Sequence, residues 1–212
     1  MPTAREALLD AALSALTARP WSAVRMVDVA SAAGVSRQTL YNEFGSKDGL
    51  ARALVRREAD VYLRGVDRVL AERVAAADRL VALAEWTVRS ARTSALIRAL
   101  LTGCWGERLP APRARRTLGA HSPVPAQRRA DAGVPGPSEL VATVRDRSLA
   151  VLEKELPAVE PVELARCCET VVRLALSYVL APDPGPPGVS GAGGHAAHVR
   201  AVLARAAIRS VS

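Results

Sequence analysis

The chain has 212 residues, and half of them are hydrophobic, which supplies enough apolar material for a buried core and excludes global disorder. Helix-favouring alanine and leucine are abundant and no convincing alternating strand pattern occurs, so we predict an all-α fold of about nine helices. The formal net charge is +8, but residues 1–50 balance five basic against five acidic side chains. The charge alone therefore identifies no nucleic-acid-binding surface.

Membrane, secretory and enzyme signals are all absent from the sequence. No charge-free apolar stretch is long enough to cross a bilayer, and the N-terminal residues lack the form of a signal peptide. No glycine-rich phosphate loop, metal-ligand cluster or nucleophile motif occurs. We therefore expect a cytoplasmic protein that is not an enzyme, with no cofactor, no bound metal and no membrane partner.

The first two predicted helices have recognisable ends. Thr3 and Glu6 have the spacing of a capping box, which opens the first helix, and Pro20 ends it. A second helix is predicted over about residues 25–33.

A turn and a third helix follow. Gly34 can adopt the positive φ that a tight turn requires, and Ser36 is suited to cap the next helix. That helix is predicted over residues 37–44, with Leu40 and Phe44 on its inner face one turn apart.

The middle of the chain is helical up to a long irregular segment. A fourth helix is predicted over residues 47–75, a fifth from a cap at Asp78 to about residue 92, and a sixth over residues 93–105. Residues 106–137 contain six prolines and no apolar periodicity, which predicts a mobile loop.

Three helices complete the predicted fold. Ser138 is expected to cap the seventh helix, and Pro161 suits the first position of the eighth, which extends to about residue 180. Residues 182–194 are rich in glycine and proline and predict a mobile linker. A ninth helix is predicted over residues 195–208.

A short helix, a glycine-containing turn and a polar-faced second helix together form a helix-turn-helix. Around it the chain carries Asp28-Val29-Ala30, Ala33-Gly34-Val35-Ser36, Thr39-Leu40-Tyr41, Phe44 and Ser46-Lys47-Asp48-Gly49-Leu50. In this register the segment resembles the TetR family of bacterial transcriptional regulators. The resemblance covers residues 1–50 in detail and the fourth helix in outline. Beyond about residue 75, only the helical layout is similar.

One position departs from the family pattern. Many members have a threonine at the start of the second helix, where it caps the helix and contacts phosphate, whereas this chain has Val24-Arg25-Met26. Arg25 can reach a phosphate but cannot replace the cap, so we expect Ser22 to serve as the cap instead.

The resemblance implies that the third helix enters the major groove of double-stranded DNA. Arg37 and Gln38 then contact bases, because arginine bonds guanine and glutamine bonds adenine through paired hydrogen bonds. Lys47 and the hydroxyl groups of Thr39 and Tyr41 are expected to contact phosphates. Alternatively, Tyr41 only packs between helices and Lys47 is only solvated. The predicted DNA-binding residues are Arg25, Ser36, Arg37, Gln38, Thr39, Tyr41, Asn42 and Lys47.

The resemblance also implies two domains and a dimer. Residues 1–50 form the DNA-binding domain, residues 51–212 form a ligand-binding and dimerisation domain, and the fourth helix connects them. Family members bind near-palindromic operators as homodimers. The eighth and ninth helices, about residues 161–181 and 195–208, are the expected dimer surface.

The resemblance further implies a small-molecule effector, bound in a pocket enclosed by the fifth, sixth and eighth helices. The few aromatic residues on these helices would edge an otherwise aliphatic cavity, which favours a lipophilic ligand. Repression is commoner in the family, but activation stays open. Plain core packing of the aromatic residues and ion pairing of the arginines are alternatives. The predicted ligand-binding residues are Trp86, Arg89, Cys104, Trp105, Arg173, Leu174 and Tyr178.

Two other regulatory interpretations remain. A constitutive architectural DNA-binding protein would need no ligand. A thiol or redox sensor would use Cys104, Cys167 and Cys168, although buried cysteines commonly act as small hydrophobic residues. His195 and His198 lie one helical turn apart, a spacing that by itself is weak support for a metal site.

Overall fold

The computed structural model describes residues 3–111, 133–182 and 192–205. Within these ranges the chain forms nine α-helices, one short 3-10 turn at Trp21–Ala23 and no strand, which confirms the predicted all-α class. None of the helices described here combines the length and hydropathy needed to cross a membrane. The helices are α1 Ala4–Ala18, α2 Met26–Ala32, α3 Arg37–Phe44, α4 Lys47–Leu70, α5 Ala76–Thr93, α6 Ala95–Thr102, α7 Pro137–Leu152, α8 Pro161–Leu180 and α9 Ala192–Arg205.

The chain divides into two compact units. The N-terminal unit comprises the described parts of Met1–Ala59 and Cys104–Pro135, and the C-terminal unit comprises those of Asp60–Gly103 and Gly136–Ser212. The division falls within α4, so one continuous helix contributes residues to both units.

The N-terminal unit begins with the predicted capping box. The Thr3 hydroxyl accepts a hydrogen bond from the Glu6 backbone nitrogen at 3.2 Å, and the Glu6 carboxylate accepts one from the Thr3 backbone nitrogen at 2.8 Å. The bond from Thr3 lowers the pKa of the Glu6 carboxyl. The helices then bury one apolar face each, as amphipathic helices do. The core side chains include Leu8, Ala12, Trp21, Val29, Ala30, Leu40, Phe44, Leu50 and Leu54.

In the C-terminal unit, α5 packs against α8 and α9, and α7 packs against α8. The indole of Trp86 lies so close to Gly65 that a Cβ at that glycine would be 2.0 Å from Trp86 Cζ2. Trp86 Nε1 donates a hydrogen bond to the Tyr62 carbonyl at 3.2 Å, and the Tyr62 hydroxyl bonds Thr87 Oγ1 at 3.0 Å. Burial raises the pKa of Tyr62 to about 12. These contacts join α4 to α5 within the unit.

Four predicted helix ends in the middle of the chain were wrong. The fourth helix ends at Leu70 rather than residue 75, although the sequence keeps its helical periodicity further. Ala75 is the N-cap of α5, so the predicted Asp78 lies inside its first turn. The sixth helix, predicted over residues 93–105, is shorter because Ser94 caps its start and Gly103, with φ of +73°, ends it.

The later helices also begin differently from the predictions. The N-cap of α7 is Gly136, whose nitrogen donates to the Glu139 carboxylate at 2.7 Å, so the predicted Ser138 does not cap this helix. The last residue of the predicted loop 106–137 is therefore helical, and α9 begins at Ala192, inside the predicted linker 182–194. Residues 112–132 and 183–191 of these loops, and the predicted helix end at 206–208, lie outside the described residues.

Candidate nucleic-acid interface

The turn between α2 and α3 is built from short-range backbone contacts. Gly34 has φ of +66°, a conformation in which a side chain would be strained. The Val35 nitrogen donates to the Ala30 carbonyl at 3.1 Å and closes the end of α2. The Ser36 hydroxyl accepts a hydrogen bond from the Thr39 nitrogen at 3.0 Å, which caps α3 as predicted.

The inner face of α3 is fixed in the hydrophobic core. Leu40 is completely buried and Phe44 is 4% exposed. The Arg5 guanidinium lies 4.7 Å from the Phe44 ring centroid and donates to the Glu43 carboxylate at 3.3 Å, which covers the end of the helix. Gly49 of α4 is required nearby, because a Cβ there would lie 1.9 Å from the Phe44 carbonyl oxygen. These contacts hold α3 in one orientation.

The outer face of α3 presents polar side chains to solvent. Gln38 Nε2 donates to Asn42 Oδ1 at 2.9 Å, one helical turn away. The Arg37 guanidinium lies 5.4 Å from the Tyr41 ring centroid. Arg37, Gln38 and Asn42 are exposed, and Tyr41 is half-buried. Donors and acceptors of this kind can exchange water for base edges or phosphate oxygens.

Lys47, at the start of α4, is held against the same unit. Its Nζ donates to the Ser22 carbonyl at 3.1 Å and lies 5.5 Å from the Trp21 ring centroid. Burial lowers the pKa of this ammonium group. The Trp21 backbone nitrogen in turn donates a hydrogen bond to the Arg108 carbonyl at 2.9 Å. The segment that follows α6 therefore also contacts the 3-10 turn beside Lys47.

The start of α2 differs from the sequence-based expectation. Ser22 lies in the 3-10 turn and does not cap α2, and Arg25 occupies the N-cap position without a side-chain cap, so the helix begins at Met26. The Arg25 guanidinium instead bonds both Asp28 carboxylate oxygens, at 3.0 and 2.9 Å. The hydrogen bond from Arg25 is the main cause of a lowered pKa at Asp28. A negative charge in the first turn of a helix also stabilises it.

The predicted ligand residues occupy several different positions. Arg89 lines an open cleft of about 420 Å³ in the C-terminal unit. Arg173 is exposed and pairs with Glu169 at 2.7 Å, and the Tyr178 hydroxyl bonds the His198 ring. Leu174 is half-buried on α8, Trp86 packs on Gly65, and Cys104 and Trp105 belong to the N-terminal unit. The ligand roles of all seven residues stay predictions.

Sequence reasoning missed most of the side chains around the cleft that Arg89 lines. The helical spacing of Glu85, Val88, Arg89 and Arg92 was visible in the sequence as a single stripe on one helix. The approach of His195 was not visible, because it depends on how α9 packs against α5.

The buried cysteines have the surroundings of core residues. Burial raises the pKa of Cys167 to about 11 and that of Cys168 to about 12, which lowers their thiolate fraction at neutral pH. None of the three cysteines forms a disulfide. Across the described ranges, no group of three histidine, cysteine or acidic side chains is placed to hold a metal ion.

Comparison with known proteins agrees with this arrangement. Residues 8–54 match the family model described as bacterial regulatory proteins, tetR family. The HTH-type transcriptional regulator AlkX of Mycobacterium tuberculosis is 54% identical over 65 residues, which cover 31% of this chain and 29% of that protein. An uncharacterized HTH-type regulator of the same species is 35% identical over 99 residues, covering 47% of this chain and 49% of that protein. The chain thus spans about half or less of the curated relatives it matches.

The whole fold is similar to that of a solved repressor. The TetR family repressor AlkX from Dietzia sp., implicated in biodegradation of n-alkanes, superposes with a TM-score of 0.54 at 23% identity, covering 95% of this chain and 94% of that one. The matched relatives are transcriptional regulators and not enzymes, as expected for this chain. Residues 8–54, with the capped and buried α3, therefore carry the DNA-binding helix-turn-helix of the TetR family of bacterial regulatory proteins.

Proposed function

We propose that this chain is a repressor that binds a near-palindromic operator as a homodimer and leaves it when a small molecule binds. The observation that carries the proposal is the geometry of α3. Its apolar face is buried through Leu40 and Phe44, while Gln38 and Asn42 are exposed on the opposite side and Arg37 is exposed at the first residue of the helix. A helix of this kind fits the major groove with its N-terminal residues at base edges.

The DNA contacts divide between bases and backbone. Arg37 and Gln38 read bases, and each paired contact contributes roughly 1–3 kcal/mol of discrimination. Thr39, Tyr41 and Lys47 contact phosphates, which set position without reading sequence. The same backbone role extends to Ser36, at the start of α3.

Two further residues have smaller roles in this proposal. Asn42 contacts a base edge or a phosphate once its bond from Gln38 is exchanged. Arg25 reaches a phosphate only by giving up its bonds to Asp28, so its contribution to affinity is small.

A single reading helix contacts too few base pairs to select one genomic site, so a second copy is required. Two large apolar side chains support α8 as part of the dimer surface. Val162 and Leu180, at opposite ends of the helix, are each 58% exposed. A second copy packed along α8 and α9 would cover them and gain the free energy of removing apolar surface from water.

The names of two relatives support a proposal for the regulated genes and the effector. The Dietzia AlkX is a repressor implicated in n-alkane biodegradation. A matched curated relative is also an AlkX. We therefore propose that this chain controls genes for the use of aliphatic compounds. Its effector is then such a compound or a product of its oxidation.

The test begins with capture of genomic fragments on the purified full chain, followed by gel-shift titration of the selected site. We expect one near-palindromic sequence bound by two chains. Arg37→Ala should reduce affinity for this site by about tenfold and affinity for a scrambled site by much less, because base contacts carry the specificity.

Lys47→Gln provides the contrast, since it removes a phosphate contact and should weaken binding to both sequences alike. Thermal unfolding of each variant separates lost contacts from lost structure. Equal losses on both sequences for both variants would contradict the division of roles. A monomer on the operator at micromolar concentration would contradict the dimer.

A further inference from the structure

A cleft with both apolar and charged lining residues lies beside the C-terminal half of α5. Its volume of about 420 Å³ is within the range of small-molecule sites in proteins. One residue of α9 completes a lining that otherwise comes from α5. The residues around it are Glu85, Val88, Arg89, Arg92, Thr93 and His195.

The cleft carries an excess of positive charge. Arg89 and Arg92 lie three residues apart on α5, and both are exposed. No carboxylate in the described residues forms an ion pair with either arginine. Among the lining residues that the structure describes, Glu85 is the single acidic one beside the two arginines. This balance favours an anionic ligand, and guanidinium forks bind carboxylates with two parallel hydrogen bonds.

A buried nitrogen at the same cleft lacks a partner. His195 is 4% exposed, and its Nε2 has no hydrogen-bond partner among the residues that the structure describes. The ring is positioned by Tyr178, whose centroid lies 5.7 Å away. A buried polar atom without a partner is costly, and a ligand oxygen at Nε2 would remove that cost.

We propose that this cleft is a binding site for a small aliphatic carboxylate. The carboxylate pairs with the guanidinium groups of Arg89 and Arg92 and accepts a hydrogen bond from His195, in the tautomer that carries its proton on Nε2. The aliphatic part lies along Val88 and the methylene stems of the two arginines.

The proposal rests on the proposed ligand response and names the chemical class of the effector. A hydrocarbon or an alcohol would cover the guanidinium groups without neutralising them, and burying an uncompensated charge is unfavourable. The oxidised, acidic form of an aliphatic compound is therefore favoured over its reduced forms.

Isothermal titration of the full chain with octanoate and with 1-octanol tests the site, because the two probes have equal chain lengths and differ in the head group. We expect saturable octanoate binding that is at least about tenfold tighter than octanol binding. Arg92→Gln and Arg89→Gln should each weaken octanoate binding by about fivefold to tenfold and leave octanol binding unchanged. His195→Leu should also weaken it, and the two exposed arginine positions keep the test valid if that variant unfolds.

Arg173→Gln is the matched control, because this exposed arginine of α8 pairs with Glu169 and does not line the cleft. Its octanoate affinity should equal that of the unmodified chain. Absence of saturable octanoate binding up to millimolar concentration would overturn the proposal. Equal weakening of octanoate binding in the control would also overturn the proposal. So would unchanged octanoate binding in Arg92→Gln together with loss of the dimer, because Arg92 would then act in the dimer interface and not in the cleft.

Operator release is measured separately by gel shift, so failure of the site and failure of the proposed function give different results. Octanoate binding with release supports both. Octanoate binding without release supports the site and contradicts a ligand-released repressor. Release by octanoate that persists in both arginine variants would place the effector elsewhere and overturn the site.

Discussion

On α3 the exposed polar side chains bond one another in solvent, whereas the C-terminal unit contains buried polar atoms without partners. Gln38 bonds Asn42, and Arg37 lies over Tyr41. In the part of the chain that the structure describes, every buried side-chain nitrogen or oxygen without a partner lies in the C-terminal unit. These atoms are Arg79 Nε, Ser90 Oγ and His195 Nε2.

The two proposed binding roles make different demands on polar side chains. A DNA-reading face meets a hydrated partner, so its side chains can remain solvated and exchange one set of hydrogen bonds for another. The proposed ligand cleft differs because one of its polar atoms, His195 Nε2, is buried, and an unpaired buried atom costs free energy until a partner is bound. At the proposed cleft, the unpaired His195 Nε2 and the exposed guanidinium groups of Arg89 and Arg92 support a ligand together.

The largest expected effect is at the support of α3. Leu40→Ala removes a completely buried side chain and should lower the free energy of unfolding by about 3 kcal/mol, through lost burial and a residual cavity. Urea denaturation measures this change, and gel shift should show lost operator binding. Val27→Ala is the control, because Val27 is 49% exposed on α2 and should change stability by less than about 0.5 kcal/mol. Retained DNA binding in Leu40→Ala would mean that α3 does not depend on its core.

An intermediate effect is expected at Arg79, which is 4% exposed. Its guanidinium donates to the Leu70 carbonyl at 3.2 Å and bonds the Glu155 carboxylate, so it connects the end of α4 to the turn that follows α7. Arg79→Met should lower the free energy of unfolding by about 2 kcal/mol, less than for a wholly buried pair because Glu155 is half-exposed and can be hydrated. Arg73→Met, an exposed neighbour, is the control in the same denaturation experiment. If Arg79→Met were as stable as the unmodified chain, the cost of burying Arg79 Nε without a partner would offset the stabilisation from its two hydrogen bonds.

The smallest expected effect is at the cap of α3. Ser36→Ala removes the acceptor of the Thr39 nitrogen and should cost about 1 kcal/mol of stability, with Ser31→Ala as an exposed control. Ser36→Asp should keep most of the stability, since aspartate also caps helices, but weaken operator binding through repulsion of phosphate. Tight operator binding by Ser36→Asp would remove this residue from the DNA contact surface.

Local sequence signals predicted the structure correctly where it depends on residues close together in the chain. The capping box at Thr3, the turn at Gly34 and the cap at Ser36 each act over three or four residues, and all three predictions were confirmed. Helix ends without such a signal were predicted less well. Nothing in the apolar periodicity indicates that α4 ends at Leu70, because the residues after it remain compatible with a helix.

Non-local contacts explain the remaining differences. Ser22 was a reasonable cap by residue type, but the 3-10 turn that contains it places Arg25 at the start of α2. Residues of the cleft beside α5 come from helices far apart in the chain, and His195 gave no local sign of being buried there. Arg173 was predicted by its position in an apolar helix, but the structure pairs it with Glu169.

The hydrogen bond from Trp21 to Arg108 has a consequence for the order of folding. Synthesis produces the helix-turn-helix first, yet the acceptor for the Trp21 nitrogen is made only after α4, α5 and α6. Closing such a long loop costs chain entropy, although the cost grows only slowly with length. A fragment that stops at residue 59 therefore lacks one of the bonds that fix Trp21 beneath Lys47. During translation, the hydrogen bond that Trp21 donates to Arg108 can form only after residue 108 has emerged from the ribosome.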